Sequence, residues 1–406
     1  MAKKYIKGTL GLASLCLAGA VTAAPFSPFD ARAMGMGGTG VASAKSASAA
    51  NFNPALLASQ SEDDDFGMIF PSFGLIATDE DDLIDGIDAI QDENLDALAD
   101  AIDNIGVGGT GPIELEAGNL ATALRDIDAN SIQATLGGGA SFSIPSRKIG
   151  MALNISVVTT IAISPEISDA DLAALDSIEG GYIGQADPTD SLTSSVNALA
   201  LGIAEVGITF ARAFDSAGGW TFGVTPKFQQ VTSYDYSVAF DADDDEGFDS
   251  GDIQDSEVSE SFFNMDIGFG KQFGKDKNWN VGLVVKNLIE QEVTSALGTK
   301  MLISPQARIG IAHDTSWSTV AVDLDLTDND SVVPGSSSQY LAAGIELNAF
   351  DAAQIRFGYR HNLSDDNGED VVTAGLGLSP FGVSLEISAI ASENTVGVVF
   401  QTGFSF

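Results

Sequence analysis

A two-residue alternation of apolar with small or polar side chains recurs along this chain, and it constrains the fold more than any other feature. Phe263, Met265, Ile267 and Phe269 alternate with Asn264, Asp266, Gly268 and Gly270. Val281, Leu283 and Val285 alternate with Asn280, Gly282 and Lys286. Val320, Val322, Leu324 and Leu326 alternate with Ala321, Asp323 and Asp325, and Ile355, Phe357 and Tyr359 with Arg356, Gly358 and Arg360. A period of two places alternate side chains on opposite faces of a strand, so each segment has one apolar face. A soluble sandwich alternates too, but its polar face meets bulk water and seldom carries so much glycine. In a transmembrane barrel the apolar face meets lipid, and Gly, Asp and Arg line the interior.

The N-terminus points the same way. Lys3, Lys4 and Lys7 precede an apolar run from Leu10 to Val21, followed by small residues. That is the layout of a secretory leader, with Val21-Thr22-Ala23 as cleavage site, residues 1–23 removed and Ala24 as the first mature residue. The single cysteine, Cys16, lies inside this run behind Leu15, where a lipid-attachment site requires a small residue. The mature chain is therefore expected to lack disulfides, thiol chemistry and cysteine-bound metals. Beyond the leader no apolar stretch is long enough to cross a bilayer as a helix. An exported, apolar-leaning chain without such a helix leaves the closed barrel, since lipid cannot satisfy an open sheet edge.

About fourteen strands are predicted, at 66–76, 132–144, 148–162, 198–214, 219–240, 258–273, 278–290, 304–313, 317–327, 338–348, 353–361, 371–379, 383–390 and 395–406. Odd connections are long (77–131, 163–197, 241–257, 291–303, 328–337, 362–370) except 391–394, and even ones are short turns. Bacterial barrels combine short periplasmic turns, long external loops and periplasmic termini. An even strand count starting in the periplasm reproduces that pattern, which predicts an outer-membrane location. In the last strand Val396, Val398, Phe400, Phe404 and Phe406 share one face, broken only at Thr402. A terminal aromatic closing such a strand resembles the signal that outer-membrane barrels present to the barrel-assembly machinery, which assigns Phe404 and Phe406 to assembly.

Charge divides along the same lines. The chain carries 57 acidic against 18 basic residues, a formal net charge of −39. The three longest loops hold 31 of those acids against one arginine, Arg125, whereas Arg147, Lys148, Lys271, Lys275 and Lys277 gather at two short turns. This balance excludes nucleic-acid binding by the usual electrostatic route. Two loop segments have helical spacing: Asp81 to Ile105, with Leu83, Ile87, Ile90, Leu98 and Ile102, and Ser168 to Ile178, where Asp171 suggests a capping box. They are expected to pack over the barrel mouth.

Nothing in the sequence assembles a catalytic site or asks for a cofactor. The two histidines, His313 and His361, fall at opposite strand ends, and His313, Asp314 and Ser316 are sequence neighbours, which seldom form a triad. The run GMGGTG at 35–40 precedes no βαβ unit and is no nucleotide fingerprint. The carboxylates of 241–247 departs from a calcium loop, with Gly247 at position seven and Asp252 at position twelve, so a solvated acidic loop is expected and no metal.

The stretch 30–60 is rich in Gly and Ala and polar enough to stay out of lipid, yet precedes the first strand. It is expected to sit inside the barrel. Residues 24–62 are thus read as an N-terminal hatch and 63–406 as the barrel, with Asn53-Pro54-Ala55 as a rigid corner whose Asn53 bonds to inward arginines and aspartates. Its Ala33-Met34-Gly35-Met36-Gly37-Gly38 run followed by Asn53-Pro54-Ala55 resembles the N-terminal region of FadL-type long-chain fatty-acid transporters and of the conjugal transfer TraF-type outer-membrane barrels. VGLVVKNL (281–288), SPQARIGIAHD (304–314) and QIRFGYRHNL (354–363) look like the TraF-type barrel. The thioredoxin-like protein that shares the TraF name is excluded by the absence of Cys-x-x-Cys. The FadL resemblance implies a fourteen-strand barrel, a lumen hatch containing Asn53-Pro54-Ala55, and passive passage of hydrophobic small molecules. Its partners would be outer-membrane lipid, lipopolysaccharide and the assembly machinery. Inward Asp266, Lys286, Arg308, Asp323, Asp325, Arg356 and Arg360 depart from a long apolar channel; they suit instead a braced envelope protein serving conjugation or secretion.

Overall fold

Fourteen antiparallel strands close into one barrel, each hydrogen-bonded to its sequence neighbours and the last to the first. In the computed structural model the described residues are 21–22, 26, 29–59, 66–79, 83–104, 110–128, 130–181, 192–239, 250–330, 332, 337–349, 352–364 and 370–405. The barrel strands are β1 Gly67–Asp79, β2 Ile132–Ile144, β3 Gly150–Glu166, β4 Ser195–Phe214, β5 Trp220–Ala239, β6 Val258–Phe273 and β7 Trp279–Lys286. They continue with β8 Gln306–Asp314, β9 Ser318–Asp325, β10 Tyr340–Ala349, β11 Ala353–Asn362, β12 Asp370–Leu378, β13 Val383–Ala391 and β14 Thr395–Ser405. Closure runs through β14 and β1, where Phe400 faces Phe73 and Phe404 faces Met68. Phe406 and most of the expected leader lie outside the described residues.

The alternation decides which way each side chain points. Large apolar residues look outward, such as Ile208, Phe228 (69% exposed), Leu376 and Val396 (64%), while Thr209, Gln229, Ser388 and Gln401 are buried on the inner face. Outward aromatic rings meet across strands, Phe73 with Phe400 at 5.3 Å and Phe222 with Phe269 at 5.2 Å. A 20-residue strand such as β4 or β5 spans ~65 Å at ~3.3 Å per residue, or about 45 Å along a tilted axis, well beyond an apolar band of about 25 Å. The excess lies at the long-loop end, where the outward residues of β5 become Gln230, Thr232 and Tyr234.

Strand β7 ends at Lys286 rather than running on to 290. Asn287 turns the chain with φ 51°, its N–H donating to Asp266 Oδ1 at 2.9 Å, and Leu288 donates to the Met265 carbonyl. A local side-chain acceptor has replaced the next ladder bond.

Both expected loop helices form, with corrections. The first is broken into Leu83–Ala89, a π-turn at Ile90–Leu95, and Asp96–Asp103; residues 81, 82 and 105 lie outside the described set. A further helix, Gly111–Ile127, went unread although Pro112 opens it and Ile113, Ala117, Leu120, Leu124 and Ile127 form one apolar face. That face packs on Leu83, Ile87, Leu98 and Leu175 in one cluster over the long-loop mouth. The second expected helix is Asp169–Glu179, but Ser168 makes no side-chain cap bond. Asp171 does not turn back to complete a capping box; it accepts from the N–H groups of Thr193 (2.8 Å) and Ser194 (2.6 Å) and from both hydroxyls. The carboxylate finds four donors on the entry to β4, which outcompete one at its own helix start.

Candidate functional site

Residues 29–59 lie inside the barrel, and their small side chains dictate how they fit. Asp30 accepts from the Ala33 N–H at 2.8 Å and starts the short helix Ala31–Met34. The chain then reverses through Gly37 (φ 74°) and Gly38 (φ 88°), a left-handed pair that side chains disfavour. A second short helix, Ala49–Phe52, ends at Asn53, which is extended (φ −150°, ψ 108°) as a residue before proline prefers. Pro54 does not simply make a corner: it opens a turn of 3-10 helix, Pro54–Ala58, where its missing N–H costs nothing.

Asn53 is fully buried. Its Nδ2 donates to the Val41 and Phe269 carbonyls, both at 3.0 Å, and its Oδ1 accepts from the Ala55 N–H at 3.1 Å. The inward arginines and aspartates are not its partners. The wall opposite Asn53 is bare backbone, because glycines occupy the inward positions there, and main-chain carbonyls are what an amide can reach. A Cβ on Gly268 would stand 2.0 Å from Asn53 Oδ1, and one on Gly282 2.2 Å from the Val41 carbonyl oxygen. Gly223, Gly344 and Gly358 receive Pro54, Met36 and Gly37 at similar range. The inward glycines of β5, β6, β7, β10 and β11 thus form notches for the 29–59 backbone.

Charged groups brace the remainder. Glu346, wholly buried on β10, accepts from Arg32 Nε at 2.9 Å and from Arg356 Nε at 2.7 Å, while Lys45 Nζ lies 3.4 Å away. Arg356 reaches on to Glu386 at 3.0 Å, and Arg32 also donates to the Ser43 carbonyl at 2.8 Å. Across the lumen, Lys227 bridges Asp266 (3.0 Å) and Glu205 (3.2 Å). Arg308 makes a two-pronged contact with Asp325 and stacks over Phe26 at 3.9 Å, and Lys286 donates to the Phe26 carbonyl at 2.9 Å. Asp323 Oδ2 accepts from the N–H groups of Gly40 and Val41 at 2.8 and 3.0 Å. Arg360 stacks on Tyr340 at 4.9 Å. All seven inward charges read from the alternation therefore face the interior, and all but Arg360 touch residues 26–59 or an opposite charge. Arg32, Lys45, Glu205, Lys227, Glu346 and Glu386 complete the networks and went unread. Glu346 was legible, since it shares the inward parity of its strand and stands opposite Arg356 in register.

Toward the long-loop end the interior changes character. The connection 287–305, of which 291–303 was expected as loop, contains the hairpin Gln291–Thr294 and Lys300–Ile303, which folds into the mouth. Val21–Thr22, inside the expected leader, adds to it in parallel. Asp235 accepts from the hydroxyls of Ser295 and Thr299 (2.7 Å for the latter). Val293, Met301 and Ile303 press on Leu199, Leu201 and Ile203 of β4 and Val231 of β5. Above the ionic tier the β4–β5 side of the lumen is thus a packed apolar cluster with Asp235 beside it.

The histidines share no site. His313 stands at a short turn, 2.8 Å from Asn278 Nδ2 with its ring on Trp279, whereas His361 contacts Asp370 at the other end. Among the described residues no cluster of His, Cys, Asp or Glu is arranged to hold a metal; the run 241–247 lies outside them. Phe404 sits on β14 opposite Val383 and Met68.

Comparison with known proteins adds two findings. A family profile described as "F plasmid transfer operon, TraF, protein" matches residues 50–325. Among solved structures, the chain is similar to the deltaS2S3 mutant of the TodX monoaromatic hydrocarbon channel, with TM-score 0.56 and 11% identity over 93% of this chain and 98% of that one. It is similar also to the P. putida toluene transporter TodX, with TM-score 0.53 and 11% identity over 94% and 99% of the two chains. At such identity the likeness concerns the fold. No curated protein matches the chain.

Proposed function

This chain belongs to the family of the F plasmid transfer operon TraF protein, and on that premise we propose that it is an outer-membrane barrel giving hatch-controlled, passive passage to hydrophobic small molecules. The apolar patch of Leu199, Leu201, Ile203 and Val231 on the inner wall above the hatch, covered by Val293, Met301 and Ile303 of the hairpin 291–303, carries this reading. With the hairpin displaced, a hydrocarbon released from the outer leaflet would take its place on this patch, held by burial of apolar area, about 25 cal/mol per Å². The solved barrels of like fold bear names of monoaromatic hydrocarbon and toluene carriers, and that class of ligand suits the wall. Membrane placement draws on the leader, the closed barrel and the outward apolar belt. Residues 29–59 act as the hatch, held at the wall by Asn53 and the Glu346 network, and passage requires them to yield.

A second reading keeps the hatch permanently shut and makes the barrel a structural or docking component of the envelope, serving conjugal transfer or secretion. The buried Arg32–Glu346–Arg356–Glu386 chain favours it, because separating such charges is expensive. Uptake of toluene into proteoliposomes separates the two. Wild-type barrel should accelerate it over empty liposomes, and a variant lacking residues 30–58 should accelerate it further and raise single-channel conductance. Uptake equal to empty liposomes for both proteins would discard transport.

A further inference from the structure

We propose that the outer surface of the short-turn rim, on β4 to β7, binds the headgroup of an anionic phospholipid between Arg212 and Lys271. The proposal rests on the membrane placement proposed above, with short turns on the periplasmic side.

The distribution of charge is the first observation. In a chain of net charge −39, six of the 18 basic residues, Arg147, Lys148, Arg212, Lys271, Lys275 and Lys277, collect at three consecutive short turns, 145–149, 215–219 and 274–278. Those turns carry only Asp215 and Asp276 in return, and Asp215 is taken by Arg147. The other three short turns, 315–317, 350–352 and 379–382, contain no lysine or arginine. One arc of the rim is cationic while the opposite arc is neutral to acidic.

Direction is the second observation. Ala211 and Ala213 are buried on the inner face of β4, so Arg212 and Phe214 point outward. Lys271 lies between the outward Phe269 and Phe273 on β6. Trp220 is the register partner of both Phe214 and Lys271, which joins the two cations into one outward array. The Arg212 guanidinium stands 5.8 Å from the Phe214 ring and Lys271 Nζ 4.9 Å from the Trp220 ring. Their neighbours are thus aromatic faces, which hold a cation without neutralising it. Phe273 and Trp279 stack beside them at 6.1 Å and mark the level of the membrane interface, where such rings concentrate.

Cations at that level, aimed sideways off the barrel wall, meet lipid headgroups and not the periplasmic solvent. Amphipathic rings take the glycerol and upper acyl region, while the guanidinium and ammonium donate to phosphate oxygens. An acidic soluble protein would instead engage cations pointing down from the turns, such as Lys275 and Lys277.

The test uses the full-length purified barrel, reconstituted into vesicles of phosphatidylethanolamine alone or with a quarter phosphatidylglycerol, then extracted gently for native mass spectrometry. Phosphatidylglycerol should be retained over phosphatidylethanolamine by about thirtyfold, the scale expected of two cations near an anionic surface. The Arg212→Gln/Lys271→Gln double variant should lose that preference. The charge-keeping Arg212→Lys/Lys271→Arg variant should preserve it, as should Lys300→Gln at the opposite end. Equal retention by wild type and the glutamine variant, with both inserted, overturns the headgroup site and leaves the membrane placement standing. Failure of wild type to insert into either vesicle overturns both. If the glutamine substitutions change only capture of an acidic periplasmic protein, the occupant is protein and the lipid proposal falls.

Discussion

Asn53 Oδ1 and the α-carbon of Gly268 approach so closely that a methyl group on Gly268 would lie 2.0 Å from the oxygen. The contact joins a residue inside the lumen to a barrel strand 215 positions away, with no space between them for a side chain on Gly268. Asn53 is held by two carbonyls and by the Ala55 N–H, and Gly268 by ladder bonds to both neighbouring strands.

Gly268→Ala should therefore unseat the hatch while leaving the barrel closed. Overpacking of this kind costs about 1–3 kcal/mol, and the softer side of the contact is residues 53–58. Amide exchange of residues 29–59 should quicken and conductance rise, with unchanged barrel content by circular dichroism. Gly111→Ala, where a Cβ meets nothing within 4 Å, should change neither quantity.

Asn53→Asp should be worse than Asn53→Ala. Alanine removes two donors and leaves two carbonyls short of partners, about 1–3 kcal/mol for each group that stays dry. Aspartate places an acceptor where the Val41 and Phe269 carbonyls already accept. Hatch exchange measured at neutral pH should rank aspartate above alanine above wild type. Equal rates for all three would mean that Asn53 does not anchor the segment.

Glu346→Gln should destabilise the folded protein by about 3–5 kcal/mol, since it leaves Arg32 and Arg356 buried with their shared counter-charge gone. The urea midpoint of the heat-modifiable band in gel electrophoresis reads this directly. Replacing all three residues together by apolar side chains of similar volume should recover part of the loss, because the penalty comes from unmatched charge and not from lost volume.

Proteolysis of intact cells checks the sidedness. Loops 77–131, 163–197 and 241–257 contain one basic residue, Arg125, so a protease cutting after acidic residues is the suitable probe. It should cleave within those loops on intact cells, while the short turn at 274–278 stays uncut until the outer membrane is opened. Cleavage confined to permeabilised cells would invert the topology.

The barrel was legible because each strand declares itself locally. A period of two, an apolar outward face and turn residues at each end are properties of ten or so consecutive residues, and neighbouring strands pair in sequence order, so no distant information was needed to count them. The same parity placed Asp266, Lys286, Arg308, Asp323, Asp325, Arg356 and Arg360 inside. The helix Gly111–Ile127 was equally local, its apolar face present at regular spacing and simply unread.

Other features had no local signature. Which side chains complete an inward charge depends on which residues meet across the lumen: Arg32 and Glu346 are 314 positions apart, and no spacing rule links them. Asn53 finds carbonyls because Gly268 and Gly282 strip the wall of side chains at that height, a matter of strand register and barrel closure. The inward fold of residues 291–303 likewise follows from an apolar patch on β4 and β5 that exists only once those strands stand side by side. Sequence by itself determined the strands, their faces and their order, since those follow from backbone periodicity. Tertiary structure decided what fills the lumen, since that follows from which groups the closed barrel leaves facing one another across it.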